Sequence, residues 1–169
     1  MPEAESAVST SSWAPSLLAT PTYVLAKLGR VAQRLSQEAI ADRGLLLPHF
    51  SVLATLGDAG PLAQHVLADR LGIHRSHLVG YVDELEKREA ICRQRDPQDR
   101  RRQVVSLTPT GRTLLAQLHT PIAELQDEFL SALSDQERTI LMDLLVRLLR
   151  HADDPGIPQD RLSPNDRWD

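Results

Sequence analysis

Residues Ile91–Gly111 read I-C-R-Q-R-D-P-Q-D-R-R-R-Q-V-V-S-L-T-P-T-G. Two β-prone runs, Ile91–Arg95 and Gln103–Leu107, stand on either side of a polar tip, Asp96–Arg102. Proline within such a polar cluster marks a turn, so Pro97 makes the stretch a β-hairpin. The tip sets Arg100, Arg101 and Arg102 against Asp96 and Asp99. A projecting hairpin tipped with cations suits an anionic, grooved partner such as duplex DNA. An arginine run alone also reads as a solvated loop, so the residues before the hairpin decide between the two.

Those residues predict short helices. Pro48 opens one, with Phe50, Leu53 and Leu56 as its apolar stripe, and Gly57 to Pro61 closes it. A second spans about Gln64–Leu71, with Leu67, Ala68 and Leu71 facing inward and Gly72 as its stop. A third runs from Arg75 to about Arg88 and buries Leu78, Val82 and Leu85 at i, i+4 and i+7. Its other face carries Ser76, His77, Val79 and Gly80. Two short helices joined at a glycine and followed at once by a hairpin make a winged helix-turn-helix, in which the second helix enters the major groove and the hairpin is the wing.

Net charge does not oppose this reading. The chain of 169 residues carries 19 Lys+Arg and 23 Asp+Glu, a formal charge of −4. Between His74 and Arg102 there are 8 Lys+Arg and 6 Asp+Glu, a local +2, which leaves 11 and 17, or −6, elsewhere. The chain is acidic with one basic face. The single cysteine, Cys92, excludes a disulfide scaffold and fits a reducing cytoplasm. No apolar run is long enough to span a bilayer, and the N-terminus lacks the basic start and apolar core of a signal peptide.

Long apolar helices flank the winged segment. Thr20-Pro21 offers an N-cap with proline at the first helical position, and Val24, Leu28, Val31, Leu35 and Ala39 recur at helical spacing to about Asp42. Thr108-Pro109 repeats the signal. Leu114, Leu118, Ile122, Leu125, Phe129 and Leu133 then form one line, with Pro121 expected to kink it. Ser134 to Glu137 is a capping box opening a last helix with Ile140, Leu141, Leu144, Leu145, Leu148 and Leu149. These faces exceed what so small a winged domain can cover, which predicts a homodimer built on the terminal helices. Residues 1–20, rich in Ser, Ala, Thr and Pro, and residues 152–169 read as flexible tails.

The segments L-A-D-R-L-G-I-H-R-S-H-L-V-G-Y-V-D-E-L-E-K-R (Leu67–Arg88) and D-P-Q-D-R-R-R-Q-V-V-S-L-T-P-T-G (Asp96–Gly111) resemble the MarR family of bacterial transcriptional regulators. The resemblance covers about Pro21 to His151. It implies a mainly α (α+β) domain over 21–151, with the winged helix-turn-helix at about 48–108 and a two- to three-stranded wing. The dimerisation helices fall at about 21–42, 109–133 and 134–151. It implies a dimeric repressor, not an enzyme, that binds a pseudo-palindromic operator in double-stranded DNA. A small aromatic or phenolic anionic ligand would release it, and no cofactor is required.

Asp99 and Arg101 fill the family's Asp-x-Arg wing motif, in which the arginine resembles a minor-groove probe and the aspartate a brace for the wing. Arg100 and Arg102 stand beside them for phosphates. Arg75, Ser76 and His77 fall at the start of the helix that reads bases. The chain departs from the family pattern at His74, where a serine N-cap is usual, and at Val79 and Gly80, where threonine and arginine are usual. Glu89 stands in place of a helix-ending glycine. Base readout therefore leans on Arg75, Ser76 and His77, with Val79 limited to apolar contact such as a thymine methyl.

Other chemistry is weak. Peroxide sensors that resemble this family carry a reactive cysteine near the first helix, whereas Cys92 lies in a predicted strand and reads as a buried thiol. The six histidines are scattered, without a tight Cys/His ligand cluster, and no phosphate-loop, nucleophile-elbow or metalloprotease motif is present. For the ligand, Lys27, Arg30, Arg34 and His49 are the candidate partners of an anion; each also reads as an ordinary surface or interface group. The alternative reading, prompted by Gly80 and Glu89, is a dimeric winged-helix protein-interaction module with little DNA affinity.

Overall fold

A computed structural model of the chain describes residues 14–95 and 102–151. Its elements, in order, are α1 (Pro15–Leu18), α2 (Pro21–Ala41), α3 (Leu47–Ala59), β1 (Leu62–Ala63), α4 (Gln64–Leu71), α5 (Arg75–Lys87), β2 (Ile91–Arg95), β3 (Gln103–Leu107), α6 (Pro109–Phe129) and α7 (Asp135–His151). The three strands form one antiparallel sheet in the order β1-β3-β2. Leu62 stands opposite Val105, Ile91 opposite Leu107, and Arg95 opposite Gln103. This is the expected winged helix-turn-helix, mostly helical with a small sheet.

One core holds the winged part together. Val52, Leu53 and Leu56 from α3 meet Leu67 and Ala68 from α4, Leu78, Val82 and Leu85 from α5, and Ile91 and Val105 from the sheet. Leu118 brings α6 into the same cluster, Ile40 brings in the end of α2, and Leu45 brings in the loop that follows it. The period that predicted the buried stripe of α5 is therefore the period it buries, and its opposite face is left to solvent.

Helix ends show where local chemistry was readable and where it was not. Gly72, at φ 61°, closes α4: its N–H donates to Asp69 O and that of Ile73 to Ala68 O, a Schellman motif. The same motif closes α5 with Glu89 at φ 56°, the single positive-φ residue besides glycine among those described. There Glu89 N donates to Glu86 O and Ala90 N to Leu85 O, both at 2.9 Å. Thr20 precedes Pro21 in extended geometry, but its hydroxyl donates to Ser16 O at 3.0 Å instead of capping α2. The reason is α1, a short helix within the stretch expected to be tail, which supplies that acceptor. The helix expected to open at Pro48 opens one residue earlier, with Pro48 in its first turn. Pro121 lies inside α6 without ending it, and Leu133 falls beyond the helix, in the turn before α7.

The capping box before α7 forms as expected. Ser134 N and Oγ donate to Glu137 Oε2 at 2.9 and 2.8 Å, and Glu137 N donates back to Ser134 Oγ at 3.4 Å. These bonds hold the Glu137 carboxyl below the usual range. No residue of α7 is buried within the single chain. Ile140, Met142, Leu144, Leu148 and Leu149 are 46–55% exposed.

Candidate nucleic-acid interface

The first turn of α5 projects from the winged domain. Arg75, Ser76 and His77 are exposed there, and Val79 and Gly80 continue the same open face one turn on. The turn is capped by His74, whose Nδ1 accepts from Ser76 N at 3.4 Å and lies 2.8 Å from Ser76 Oγ. Histidine ranks low as a cap. It serves here because the ring reaches the second helical residue, and Ser76 supplies a hydroxyl as well as an amide. Arg75 reaches back to Asp69 of α4 at 3.4 Å, an open ion pair with side chains 67% and 57% exposed. Such a pair is worth little and yields readily to a stronger anion. The turn thus presents a guanidinium, a hydroxyl and an imidazole at the positive end of the helix dipole.

The wing is locked to this helix by Arg93. Its Nη1 lies 2.7 Å from Asp83 Oδ1, its Nε donates to Glu86 Oε2 at 3.0 Å, and its backbone N–H donates to Glu86 Oε1 at 3.1 Å. Nη2 also pairs with Glu86. The Arg93 hydrogen bonds hold the Glu86 carboxyl below its usual range and raise the guanidinium's own affinity for its proton. At 22% side-chain exposure, Arg93 is better shielded than a surface pair. Arg93 is not among the residues that the sequence marks for a role. The available signal was weak: a strand cation, with carboxylates at Asp83 and Glu86, three apart on one face of the preceding helix.

The base of the wing has its own joint. Thr108 Oγ1 donates to Glu89 O at 2.6 Å and accepts from Gly111 N at 3.0 Å, so one hydroxyl ties the end of α5 to the start of α6. Gly111 is buried directly against Ala90. Thr108 and Gly111, three residues apart, are therefore packing requirements of this joint. In the β2–β3 pair Cys92 Sγ lies 3.1 Å from Ser106 Oγ, half-buried. Among the described residues no group of three or more His, Cys, Asp or Glu side chains is placed to hold a metal ion.

Arg102 is exposed at the start of the return strand and is engaged in an interaction of its own. Asp99, Arg100 and Arg101 lie outside the described residues.

The candidate ligand residues are not gathered in one place. Lys27 is half-buried on α2 and already engaged; Arg30 is exposed; Arg34 pairs with Glu38 one turn on at 2.9 Å. His49 is buried at the start of α3, where its Nδ1 accepts from Leu46 N at 2.9 Å and its ring meets Tyr81 edge-on at 5.2 Å. Two hollows lie elsewhere. One, of about 240 Å³, opens among α2, α6 and α7, with Leu35, Ile122, Leu125, Phe129 and Met142 in its wall. The other, of about 400 Å³, lies beside β3 and includes Leu107, Arg112, Leu115 and His119. Neither is lined by Lys27, Arg30, Arg34 or His49.

Comparison with known proteins places this geometry. The MarR family profile matches residues 45–102. The chain is 35% identical over 101 residues to a protein of Thauera aromatica described as a transcriptional regulator for the hcr operon; the match spans 60% of this chain and 61% of that one. It is 27% identical over 144 residues to the HTH-type transcriptional repressor NicR of Pseudomonas putida, across 81% of this chain and 91% of NicR. Among solved structures it superimposes on BpsR of Bordetella bronchiseptica, whose DNA binding is regulated by 6-hydroxynicotinic acid, with a TM-score of 0.68 and 26% identity over 80% of this chain and 94% of that one.

Proposed function

The chain belongs to the MarR family of transcriptional regulators, and from that membership we propose that it is a homodimeric, ligand-responsive repressor that binds a pseudo-palindromic operator in double-stranded DNA. The observation that carries the proposal is the exposed first turn of α5, where Arg75, Ser76 and His77 stand together beside a wing clamped to the same helix by Arg93. Such a helix end reads base edges in the major groove. In this reading Arg101 enters the flanking minor groove, Asp99 braces it, and Arg100 and Arg102 take phosphates. Val79 and Gly80 leave only apolar or close backbone contact one turn further along.

Dimerisation is supported by the open apolar face of α7 and by Leu25 and Leu28 on α2, which are 39% and 47% exposed. A small aromatic anion is the proposed effector. The family relative regulated by 6-hydroxynicotinic acid supports it, as does the apolar hollow beside α2 and α6. Lys27, Arg30, Arg34 and His49 remain the proposed partners of its charge, across a dimer interface that the single chain does not form. No helix among the described residues is long and apolar enough to cross a membrane.

A mobility-shift experiment with the duplex upstream of the chain's own gene tests the proposal. A shift that is competed poorly by random duplex, and relieved by a hydroxylated benzoic or nicotinic acid, is the expected result. No shift at low salt, in a protein that light scattering shows to be a folded dimer, would instead favour an interaction module.

A further inference from the structure

The loop joining α2 to α3 is held from three directions. Arg88, at the end of α5, donates from Nη1 to Arg43 O at 2.9 Å and from Nη2 to Gly44 O at 2.7 Å. Gln37, on α2, donates from Nε2 to Leu45 O and accepts from Leu47 N through Oε1, both at 2.9 Å. His49, on α3, accepts from Leu46 N. Successive backbone groups of one short loop are thus bound by side chains from the helix before it, the helix after it, and the helix that reads DNA. Glu84 orients the Arg88 fork from one turn earlier, at 3.0 Å. Gly44, at φ 62°, bends the loop into the fork; a β-carbon there would sit 3.5 Å from Arg88 Nη2.

We infer that Arg88 is a positioning residue that fixes the angle of α5 on α2, so that a movement of the long terminal helix reaches the reading helix through the Gly44 loop. The inference rests on the proposed function for the meaning of that angle, but the contact itself does not. A planar fork holding two adjacent carbonyls resists rotation in a way that a single hydrogen bond cannot. Arg88 reaches residues 44 and 45 positions earlier in the chain, so it joins two parts that the local fold leaves separate. The other end of α5 is free to contact DNA, and Arg93 carries the wing along with the helix. A tilt admitted at Arg88 is therefore shared by the whole reading head, whose half-site register in a dimer depends on it.

Pulsed electron double resonance tests this without DNA. Spin labels on Gln33→Cys in α2 and Val79→Cys in α5, in a Cys92→Ser background diluted with unlabelled chain, report the angle within one subunit. The parent should give one narrow distance distribution. Arg88→Ala should broaden it or add a second population. Arg88→Lys, which keeps the charge but not the fork, should do the same to a smaller degree and protects against a failure of the alanine variant to fold. A role confined to stability would lower the melting temperature and leave the distribution of the folded protein narrow. Distributions of both variants that superimpose on the parent's would overturn the inference. In a parallel titration, Arg88→Ala should lose about tenfold in affinity for the full operator while keeping its affinity for an isolated half-site. A parent that binds neither duplex would defeat the functional proposal, and the distance measurement would still decide the joint.

Discussion

Gly111 packs so closely on Ala90 that a β-carbon built on it would lie 2.8 Å from the Ala90 carbonyl carbon and 2.9 Å from Leu107 Cδ2. Backbone meets backbone where the wing returns to α6, and the neighbouring Thr108 bonds both sides of the contact. Gly111→Ala is expected to destabilise the fold by about 3 kcal/mol, at the upper end of overpacking costs, because the nearest obstruction, the Ala90 carbonyl, is main chain and cannot rotate aside. Urea unfolding measures it; a variant as stable as the parent would mean that α6 can slide away from the wing at no cost.

Glu89 makes the opposite prediction. It occupies the left-handed position that closes α5, where a β-carbon costs about 1–2 kcal/mol. Glu89→Gly should therefore stabilise the chain by about 1 kcal/mol, less the extra freedom glycine gains when unfolded. The increase should appear as a higher urea midpoint with an unchanged slope. A loss of stability would show that the Glu89 side chain contributes more than its backbone costs.

Acidification should weaken the fold through His49. Burial lowers its pKa below the ordinary 6.5, assisted by Arg88 and opposed by Glu84. The unfolded chain then takes up a proton before the folded one does. The neutral ring's contribution is complete above 6.5 and is lost as pH falls toward the folded value. Protonation also removes the Nδ1 acceptor for Leu46 N. Between pH 7.5 and pH 5.5 the stability of His49→Gln, which retains an acceptor for the helix start, should change less than that of the parent. Equal slopes would show that His49 does not carry the dependence. Glu84, Glu86 and Glu137 act further down: their carboxyls are held below 4.5, so their contribution is lost only at more acid pH.

The open leucines of α7 carry the prediction about assembly. Leu144 and Leu148 are 47% and 55% exposed, one turn apart on the same face. Leu144→Glu with Leu148→Glu should give a monomer by sedimentation, with the winged domain still folded and the operator affinity lost. A double variant that sediments as the parent does would place the interface elsewhere.

Much of this architecture was legible because its signals are local. The helix Gln64–Leu71 and the strands Ile91–Arg95 and Gln103–Leu107 fall where their periodicity and flanking turns put them. Ser134 and Glu137 cap α7 as their spacing required. Three features had no such signal. The strand Leu62–Ala63 exists only because Val104 and Val105, far along the chain, offer it an edge. The capping role of His74 depends on Ser76 offering a hydroxyl, which the usual ranking of caps does not consider. The carbonyls bound by Arg88 and the carboxylates bound by Arg93 meet through tertiary packing, and nothing in the residues' own neighbourhood announces either guanidinium as structural. His49, named from the sequence as a candidate partner of an anion, also accepts from Leu46 N through Nδ1 in the folded chain.

The central claim is that the exposed start of α5 reads DNA, and Arg75 is its sharpest point. Fluorescence anisotropy of parent and Arg75→Ala should be compared on the upstream duplex and on a scrambled duplex of equal composition, across a range of salt concentrations. The account predicts that the parent prefers the upstream duplex, with affinity falling linearly in log–log as salt rises. Arg75→Ala should lose about 1–3 kcal/mol on that duplex and little on the scramble, as for a bidentate contact to guanine. Equal losses on both duplexes would reduce Arg75 to a phosphate contact, and the absence of salt-dependent binding to either would contradict the account.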